Sequence, residues 1–373
     1  MKITITAVKA DVGSIGGHVQ PDESMKAEIA KYLNTLKGVD IIDYRVQSVG
    51  DDIAMIMTHT LGENSEKIHK IAWDSFLKAT QIAKDLGLYG AGQDLLKDSF
   101  SGNIRGMGPA IAEMEIEERP NETIVCFQAD KTEPGAYNLP LYLMFADPMH
   151  NSGLMLSPKM AEGFNFEIID VENTEEDSII SLNVPEDIYN IVSLLRNNHR
   201  YIVEKIYSRS TGDIASVSCT TRLNLIAGKY VGKDDPIMLV RAQGSFPATG
   251  EILSPFTLSH YVAGFMRGSH VGPLTPVKVN TDVSFFDGPP IVSAVAFNVH
   301  NGKLTPVVDC FANSFWDTIR AKAYEKAIHI REQGWSGPAM LEEKELEYGG
   351  ITERLDKLKH RFYSRKKPLK KKD

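Results

Sequence analysis

The fold of this chain is most constrained by two strand-like segments, the short turn that joins them and the long amphipathic helix that follows. Residues 41–48 and 53–60 have the composition of paired strands, and a Gly-Asp-Asp turn at 50–52 joins them. Residues 67–86 then carry apolar side chains on one helical face. Hairpins and long helices recur in such blocks, which favours an antiparallel or mixed sheet with helices outside. We therefore predict an α+β fold with two stacked sheets between helix layers.

The remaining segments extend this pattern. Strands are predicted over residues 3–10, 122–128, 142–145, 164–170, 215–220, 223–227, 237–243, 290–298 and 306–310. Helices are predicted over residues 21–36, 185–206, 316–331 and 351–362. No linker rich in proline and serine and no fixed-period repeat interrupts the chain. We therefore expect a single domain over residues 1–363 and a basic, disordered tail over residues 364–373.

The charge of the chain is unevenly distributed. The net charge is −8, but the last ten residues hold six Lys or Arg and one Asp, so the body carries −13. An acidic body repels nucleic-acid phosphates, so no nucleic-acid partner is expected. The tail is interpreted as solvated, with contact to nucleic acid or an acidic partner as the alternative.

The sequence also indicates the compartment. No stretch reaches the roughly 18 uncharged apolar residues that a membrane span requires, so no membrane contact is expected. The three cysteines are far apart, which argues against a disulfide framework. Together with the absence of a signal-peptide pattern, this predicts a reducing, cytoplasmic location.

Acidic residues recur at predicted strand ends and tight turns. Five segments share this feature: Asp11 with His18, Asp51-Asp52, Gln93-Asp94, Asp130-Lys131 and Asp234-Asp235. Each segment alone is typical of a solvated turn. If the five converge in space, their oxygen ligands suit Mg²⁺ or Mn²⁺, because carboxylates cannot share a pocket in ionised form without cations. Several such metals would suit phosphoryl chemistry.

Two glycine-rich segments are candidate phosphate-binding loops. Residues 89–94 and 101–109 each carry several glycines, whose backbone amides can approach an anion closely. Neither segment matches a nucleotide-binding loop. A nucleotide-binding fold is therefore not supported.

A lysine beside two of the aspartates has the most specific local chemistry. Tyr230-Val-Gly-Lys233 directly precedes Asp234-Asp235. A neutral lysine amine can form a Schiff base with a sugar carbonyl, and a tyrosine three residues away can transfer a proton. The adjacent aspartates oppose a neutral amine unless metals bind them. From spacing alone, a solvated turn lysine is the alternative interpretation.

These segments resemble one family closely. The chain resembles the archaeal-type bifunctional fructose-1,6-bisphosphate aldolase/phosphatases, also called class V fructose-1,6-bisphosphatases. The matching motifs run in order from residue 5 to about residue 350: ITAVKADVGSIGGH, VGDD, LYGAGQDLL, FSGNIRGMGP, ADKTEPGAYNLPLY, YVGKDDP, RAQGSFPATGEILSPF, FMRGSHVGP, FFDGPP and the Tyr348-Gly-Gly region. The motifs are long and unusual, and they cover nearly the whole chain except the basic tail.

The resemblance implies a function and a fold. Dihydroxyacetone phosphate and glyceraldehyde 3-phosphate would condense to fructose 1,6-bisphosphate, and the same site would remove the C1 phosphate to give fructose 6-phosphate. This one-way sequence suits gluconeogenesis. The resemblance also implies a single-domain four-layer α-β-β-α sandwich that assembles as a homo-octamer.

The resemblance further implies a role for individual residues. Lys233 would form the Schiff base, Tyr230 would be the aldol acid/base, and Asp11 would be the base in phosphate hydrolysis. The implied magnesium ligands are Asp11, His18, Asp51, Asp52, Gln93, Asp130, Asp234 and Asp235, with Lys233 beside the later metals. The implied substrate contacts are His18, Tyr89, Gly102, Asn103, Lys131, Ala242, Gln243, Arg267, Asp287 and Tyr348.

Two other functions remain open at the level of the sequence. The first is a magnesium-dependent sugar-bisphosphate phosphatase without aldolase activity, in which Lys233 only contacts phosphate. The second is a non-enzymatic protein that binds a metal or a partner, with scattered and solvated acidic turns.

Overall fold

A computed structural model describes residues 1–95, 108–173, 178–218, 221–222, 234–262, 270–283, 288–332 and 350–364. Its strands are β1 (Lys2–Ala10), β2 (Asp43–Val49), β3 (Asp52–His59), β4 (Ala110–Glu117), β5 (Glu122–Asp130), β6 (Phe164–Asp170), β7 (Ser178–Asn183), β8 (Tyr201–Ser208), β9 (Ile214–Ser218), β10 (Thr221–Arg222), β11 (Ile237–Ala242), β12 (Tyr261–Val262), β13 (Gly272–Pro273), β14 (Thr275–Pro276), β15 (Ile291–His300), β16 (Lys303–Leu304), β17 (Val308–Asp309) and β18 (Tyr363–Ser364).

The α-helices are α1 (Glu23–Leu36), α2 (Glu66–Asp85), α3 (Asn138–Phe145), α4 (Gly153–Leu156), α5 (Ile188–Leu195), α6 (Thr249–Leu253), α7 (Phe315–Glu332) and α8 (Gly350–Lys359). Short 3₁₀ helices occur at Gln93–Leu95, Pro134–Tyr137 and Ser254–Leu258. None of the helices in these described ranges has the length and apolar character needed to cross a membrane.

The first sheet contains the predicted hairpin. Its strand order is β10-β4-β1-β3-β2, and every neighbouring pair is antiparallel. In the hairpin, Val49 pairs with Asp52 and Asp43 pairs with Thr58. Residues 51 and 52 therefore lie at one end of this sheet, beside the end of β1, where Ala10 pairs with Ile53.

The second sheet is larger. Its strand order is β14-β15-β5-β11-β9-β8-β6-β7-β18, with β16 and β17 paired to β15. The β14–β15 pair is parallel and the others are antiparallel. Strand β18 reaches Ser364, where it pairs with Ser178 at the edge of this sheet.

Three hydrophobic clusters define the layers. Helices α1 and α2 pack on the outer face of the first sheet, with Met25 and Phe76 in their cluster. The facing sides of the two sheets form a second cluster that includes Ile5 and Leu239. The outer face of the second sheet packs against helices including α3, α5 and α7. The predicted α+β, four-layer α-β-β-α architecture is therefore confirmed.

Two predicted elements differ from the structure. Residues 142–145 belong to helix α3 rather than to a strand, because a short apolar run has no periodicity that separates a buried helix from a buried strand. The helix predicted over residues 185–206 is α5 followed by β8. Its second half, which begins Tyr201-Ile202-Val203, pairs with β6 instead, and such β-branched and aromatic residues favour strands.

Candidate metal centre

The loop after β1 carries the first two candidate ligands, Asp11 and His18. The backbone N–H of Asp11 donates to the Asp94 carboxylate (2.9 Å), and the N–H of Gly13 donates to the Asp11 carboxylate (3.1 Å). The backbone of Ser14 pairs with that of Tyr89. These bonds attach the loop to the turn at residues 89–94 and hold the Asp11 carboxylate in place.

The β2–β3 hairpin brings Asp51 to the same place. The Nδ1 atom of His18 lies 3.0 Å from Oδ2 of Asp51 and 3.3 Å from Oδ2 of Asp11. The hydroxyl of Ser14 donates to Asp51 at 3.0 Å. Candidate ligand atoms of Asp11, His18 and Asp51 all lie within 4.8 Å of one another. We call these three residues the first triad.

Strand β5 supplies Asp130 from the second sheet. Gly50 of the hairpin approaches this residue so closely that a Cβ atom on Gly50 would lie 1.7 Å from Oδ2 of Asp130. Gly50 also has a φ of +54°, a conformation that glycine adopts without steric cost. Glycine is therefore the residue that lets the two sheets meet at the candidate ligands.

A second set of three acids includes Asp130. The Asp235 N–H donates to the Thr132 carbonyl (2.8 Å), and the Thr132 N–H donates to the Asp235 carboxylate (2.7 Å), which fixes Asp235 beside the end of β5. Candidate ligand atoms of Asp52, Asp130 and Asp235 lie within 4.8 Å of one another. We call these three residues the second triad.

Lys131 links the two triads. Its Nζ atom lies 2.5 Å from Asp51 and 3.3 Å from Asp130, although its side chain is only 8% exposed. Lys131 has a φ of +64°, which is uncommon for a residue with a side chain. This backbone conformation is found at functional sites, where the surrounding structure imposes it.

The concentration of negative charge shifts the acid–base properties of the site. Burial, and then the nearby Asp51, raises the pKa of Asp11 to about 8. Burial also raises the pKa of Asp130 well above its usual range; Lys131 opposes this shift, and Asp51, Asp52 and Asp235 add to it. Burial works in the same direction on Asp51, but Lys131 and His18 outweigh it and hold the pKa of Asp51 well below normal. Hydrogen bonds to Asp11 and Asp51 raise the pKa of His18 to about 10.

The donor set fits hard divalent cations. Five carboxylates and one imidazole offer mostly oxygen ligands, which Mg²⁺ and Mn²⁺ prefer. Oδ2 of Asp130 is buried and has no hydrogen-bond partner within the described ranges. A buried carboxylate oxygen without a donor is costly unless a cation contacts it. Without added positive charge, the carboxyls with raised pKa values remain protonated.

Other predicted residues surround the triads or lie elsewhere. Tyr89 packs edge-on against His18, with ring centroids 5.0 Å apart. Gln93 is half-buried in the turn beside Asp94, and Asp234 precedes Asp235. Gly102, Asn103, Tyr230, Lys233, Arg267, Asp287 and Tyr348 lie outside the described residues.

Ala242 and Gln243 do not reach the triads of their own chain. Ala242 pairs with Thr123, seven residues before Asp130 along β5. At about 3.3 Å per residue, that separation is roughly 23 Å. These two residues therefore lie at the opposite end of β5 and β11.

Two residues of the site were given no role in the prediction from the sequence. Asp94 was noted beside Gln93, but it is Asp94 that is buried and bonded to Asp11. Lys9 forms a buried ion pair with Asp52. The sequence signal that could have identified Lys9 is its position two residues before Asp11, because alternate residues of a strand face the same side.

The fold and the site together define a class of protein: an α-β-β-α sandwich with a buried, carboxylate-rich site of the kind that holds divalent cations for phosphoryl chemistry. Comparison with known proteins narrows this class. A family model described as Fructose-1,6-bisphosphatase matches residues 2–363.

Curated relatives agree over nearly the full length. A fructose-1,6-bisphosphate aldolase/phosphatase of Thermus thermophilus is 51% identical over 362 residues, covering 97% of this chain and 100% of the relative. Proteins of the same name from Ignicoccus hospitalis (51% identity, 99% and 94% coverage) and Methanothermobacter marburgensis (46%, 97% and 99%) are also similar. The chain belongs to the fructose-1,6-bisphosphate aldolase/phosphatase family and is an enzyme, which confirms the resemblance seen in the sequence.

Proposed function

We propose that this enzyme catalyses two successive reactions at one site. It condenses dihydroxyacetone phosphate with glyceraldehyde 3-phosphate to fructose 1,6-bisphosphate, and it then hydrolyses the C1 phosphate to give fructose 6-phosphate. The observation that carries the proposal is the pair of buried triads, joined through Lys131. The names of the relatives, which describe both activities, support it.

Several Mg²⁺ ions are the proposed cofactors. Their proposed ligands are Asp11, His18, Asp51, Asp52, Gln93, Asp130, Asp234 and Asp235, with Lys233 adjacent. Bound Mg²⁺ supplies positive charge that keeps the carboxylates ionised and offsets the charge of the phosphoryl group. The oxygen-rich donor set and the unpartnered Oδ2 of Asp130 support this assignment.

In the phosphatase reaction, Asp11 accepts the proton of the water that attacks the C1 phosphate. The carboxylate is held by the Gly13 N–H and by His18, so its orientation is set before the substrate binds. His18 and Lys131 provide positive charge beside the two triads, where they attract the phosphate. Their ion pairs with Asp51 keep both cations in place.

In the aldolase reaction, Lys233 forms the Schiff base with the carbonyl of dihydroxyacetone phosphate, with loss of water. Tyr230 transfers the proton that accompanies carbon–carbon bond formation. Support comes from the sequence, because Asp234 and Asp235 follow Lys233 directly and Asp235 is a member of the second triad.

Substrate contacts are proposed for His18, Tyr89, Gly102, Asn103, Lys131, Ala242, Gln243, Arg267, Asp287 and Tyr348. Ala242 and Gln243 lie at the far end of β11. We therefore place them at the site of a neighbouring copy in a homo-octamer. The enzyme is proposed to act in gluconeogenesis in the cytoplasm. We propose that residues 1–363 form a single catalytic domain and that the disordered tail begins after Ser364, because Ser364 pairs with Ser178 in β18.

The phosphatase half is tested by phosphate release from fructose 1,6-bisphosphate. Release should require Mg²⁺ and should fall at least a hundredfold in Asp11→Ala. Asp74→Asn, which changes a half-buried aspartate paired with Lys70 on α2, is the matched control and should retain activity. Release that is unaffected by Asp11→Ala or by metal chelation would refute the assignment of a metal-dependent phosphatase reaction to this site.

The aldolase half is tested by borohydride trapping with dihydroxyacetone phosphate in the Mg²⁺-loaded enzyme. A covalent adduct on Lys233, lost in Lys233→Met and retained in Lys229→Met, is expected. Lys229 is the matched control because it lies four residues earlier in the same segment. Phosphatase activity without any adduct would instead establish a sugar-bisphosphate phosphatase that lacks aldolase activity.

A further inference from the structure

Lys9 is a charged residue in an apolar layer. On β1, Ile5 and Ala7 face the hydrophobic cluster between the two sheets. Lys9 continues this face, since side chains alternate along a strand, and its side chain is only 1% exposed. Lysine is rarely buried to this extent unless an anion lies beside it.

The anion beside Lys9 is Asp52. The ammonium of Lys9 forms an ion pair with Oδ2 of Asp52, whose side chain is 6% exposed. Lys9 pairs with Ala54 across the β1–β3 ladder, so Asp52 is its diagonal neighbour on the same face. Lys9 thus reaches the second triad from the interior of the molecule.

Among the described residues, three cations lie at the site in different positions. Lys131 contacts Asp51 and Asp130, and His18 contacts Asp11 and Asp51. Lys9 contacts Asp52, which is the member of the second triad contributed by the first sheet. A positive charge fixed on Asp52 repels any divalent cation that binds to the same triad.

We propose that Lys9 is a positioning residue that fixes one oxygen of Asp52 and weakens the affinity of the second triad for divalent cations. The inference rests on the proposed function, in which the two triads hold metal. Lys9 holds Oδ2 of Asp52 and so fixes the orientation of this carboxylate within the second triad. Its charge keeps a cation on this triad exchangeable when no substrate phosphate adds negative charge.

The test is Mn²⁺ binding, measured by electron paramagnetic resonance of the free ion and by calorimetry without substrate. In Lys9→Met, which preserves the length of the side chain, the weakest Mn²⁺ site should bind at least about tenfold more tightly, because a nearby positive charge is lost. Lys9→Gln, which keeps a hydrogen-bond donor but no charge, should show the same tightening. Lys37→Met is the matched control: Lys37 pairs with buried Asp43 of the same sheet, so its loss should not alter Mn²⁺ affinity.

A second readout is thermal unfolding. Saturating Mn²⁺ should raise the melting temperature of Lys9→Met more than that of the wild type, because the cation replaces a missing counter-charge. Unchanged or weaker Mn²⁺ affinity in both Lys9 variants would overturn the inference. So would variants that stay unfolded even at saturating Mn²⁺. If the wild type itself bound no Mn²⁺, the proposed function would fail as well, which separates the two outcomes.

Discussion

Replacing Asp11 by asparagine should stabilise the metal-free enzyme at neutral pH while removing its phosphatase activity. Burial and the nearby carboxylates raise the pKa of Asp11 from 3.8 to about 8 in the folded protein. An unfolded aspartate ionises near pH 4. The contribution of protonated Asp11 to the stability of the folded protein is therefore complete below about pH 4 and is lost as the pH rises toward 8. Asparagine does not titrate, so Asp11→Asn does not lose this contribution.

The magnitude follows from the size of the shift. Between the unfolded and folded pKa values, each pH unit lowers the free energy of unfolding of the wild type by about 1.4 kcal/mol. The loss between pH 5 and pH 7 is about 3 kcal/mol. The asparagine keeps one oxygen that can accept from the Gly13 N–H or face His18, but not both. That lost bond costs about 1 kcal/mol at every pH, so it leaves the pH dependence unchanged.

The assay is urea denaturation in EDTA at pH 5, 6, 7 and 8, at one fixed protein concentration. The stability of Asp11→Asn relative to the wild type should rise by about 3 kcal/mol from pH 5 to pH 7. Asp43→Asn is the control. Hydrogen bonds from Lys37 and backbone amides outweigh burial and hold the pKa of Asp43 below normal, so its loss should destabilise the protein equally across this range. A stability difference for Asp11→Asn that did not change with pH would refute the electrostatic reasoning.

Three further changes test the site and its support. Gly50→Ala should weaken Mn²⁺ binding at least tenfold, because the new Cβ would displace the Asp130 carboxylate; Gly38→Ala has a similarly positive φ but open space around it and should bind Mn²⁺ normally, as calorimetry would show. Arg241→Met should cost about 1.5–3 kcal/mol in urea denaturation, because it removes one of the two arginines, Arg241 and Arg119, that pair with the fully buried Glu122. Removal of metal by EDTA should lower the melting temperature more at pH 8 than at pH 5. Burial raises the pKa of Asp11 to about 8, so at pH 5 this carboxyl is protonated and competes against metal binding. An equal loss at both pH values would contradict this prediction.

Much of the fold followed from local patterns in the sequence. The hairpin of β2 and β3, helix α2 and the strand character of β1 and β5 follow from alternation and from apolar side chains at helical spacing. The prediction was wrong where local information is ambiguous. Helix α3 is a buried apolar run without a diagnostic periodicity. Strand β8 follows α5 after a short turn, so the apolar pattern of the sequence does not show where the helix ends.

The sequence by itself determined which residues were available for chemistry. It placed Asp11, Asp51-Asp52, Asp130 and Asp234-Asp235 at turns and strand ends, and it carried the family motifs around them. It could not show which acids meet. That depends on strand register and on the close approach of the two sheets at Gly50.

Only the tertiary structure decided how charge is distributed in the site. It grouped residues far apart in the chain into two triads, placed Lys131 between them and brought Lys9 to Asp52 from the interior. The physical reason is that Coulomb interactions and desolvation depend on distance and burial, which residue spacing alone does not specify. The same aspartates would be ordinary solvated turn residues if the two sheets did not bury them together.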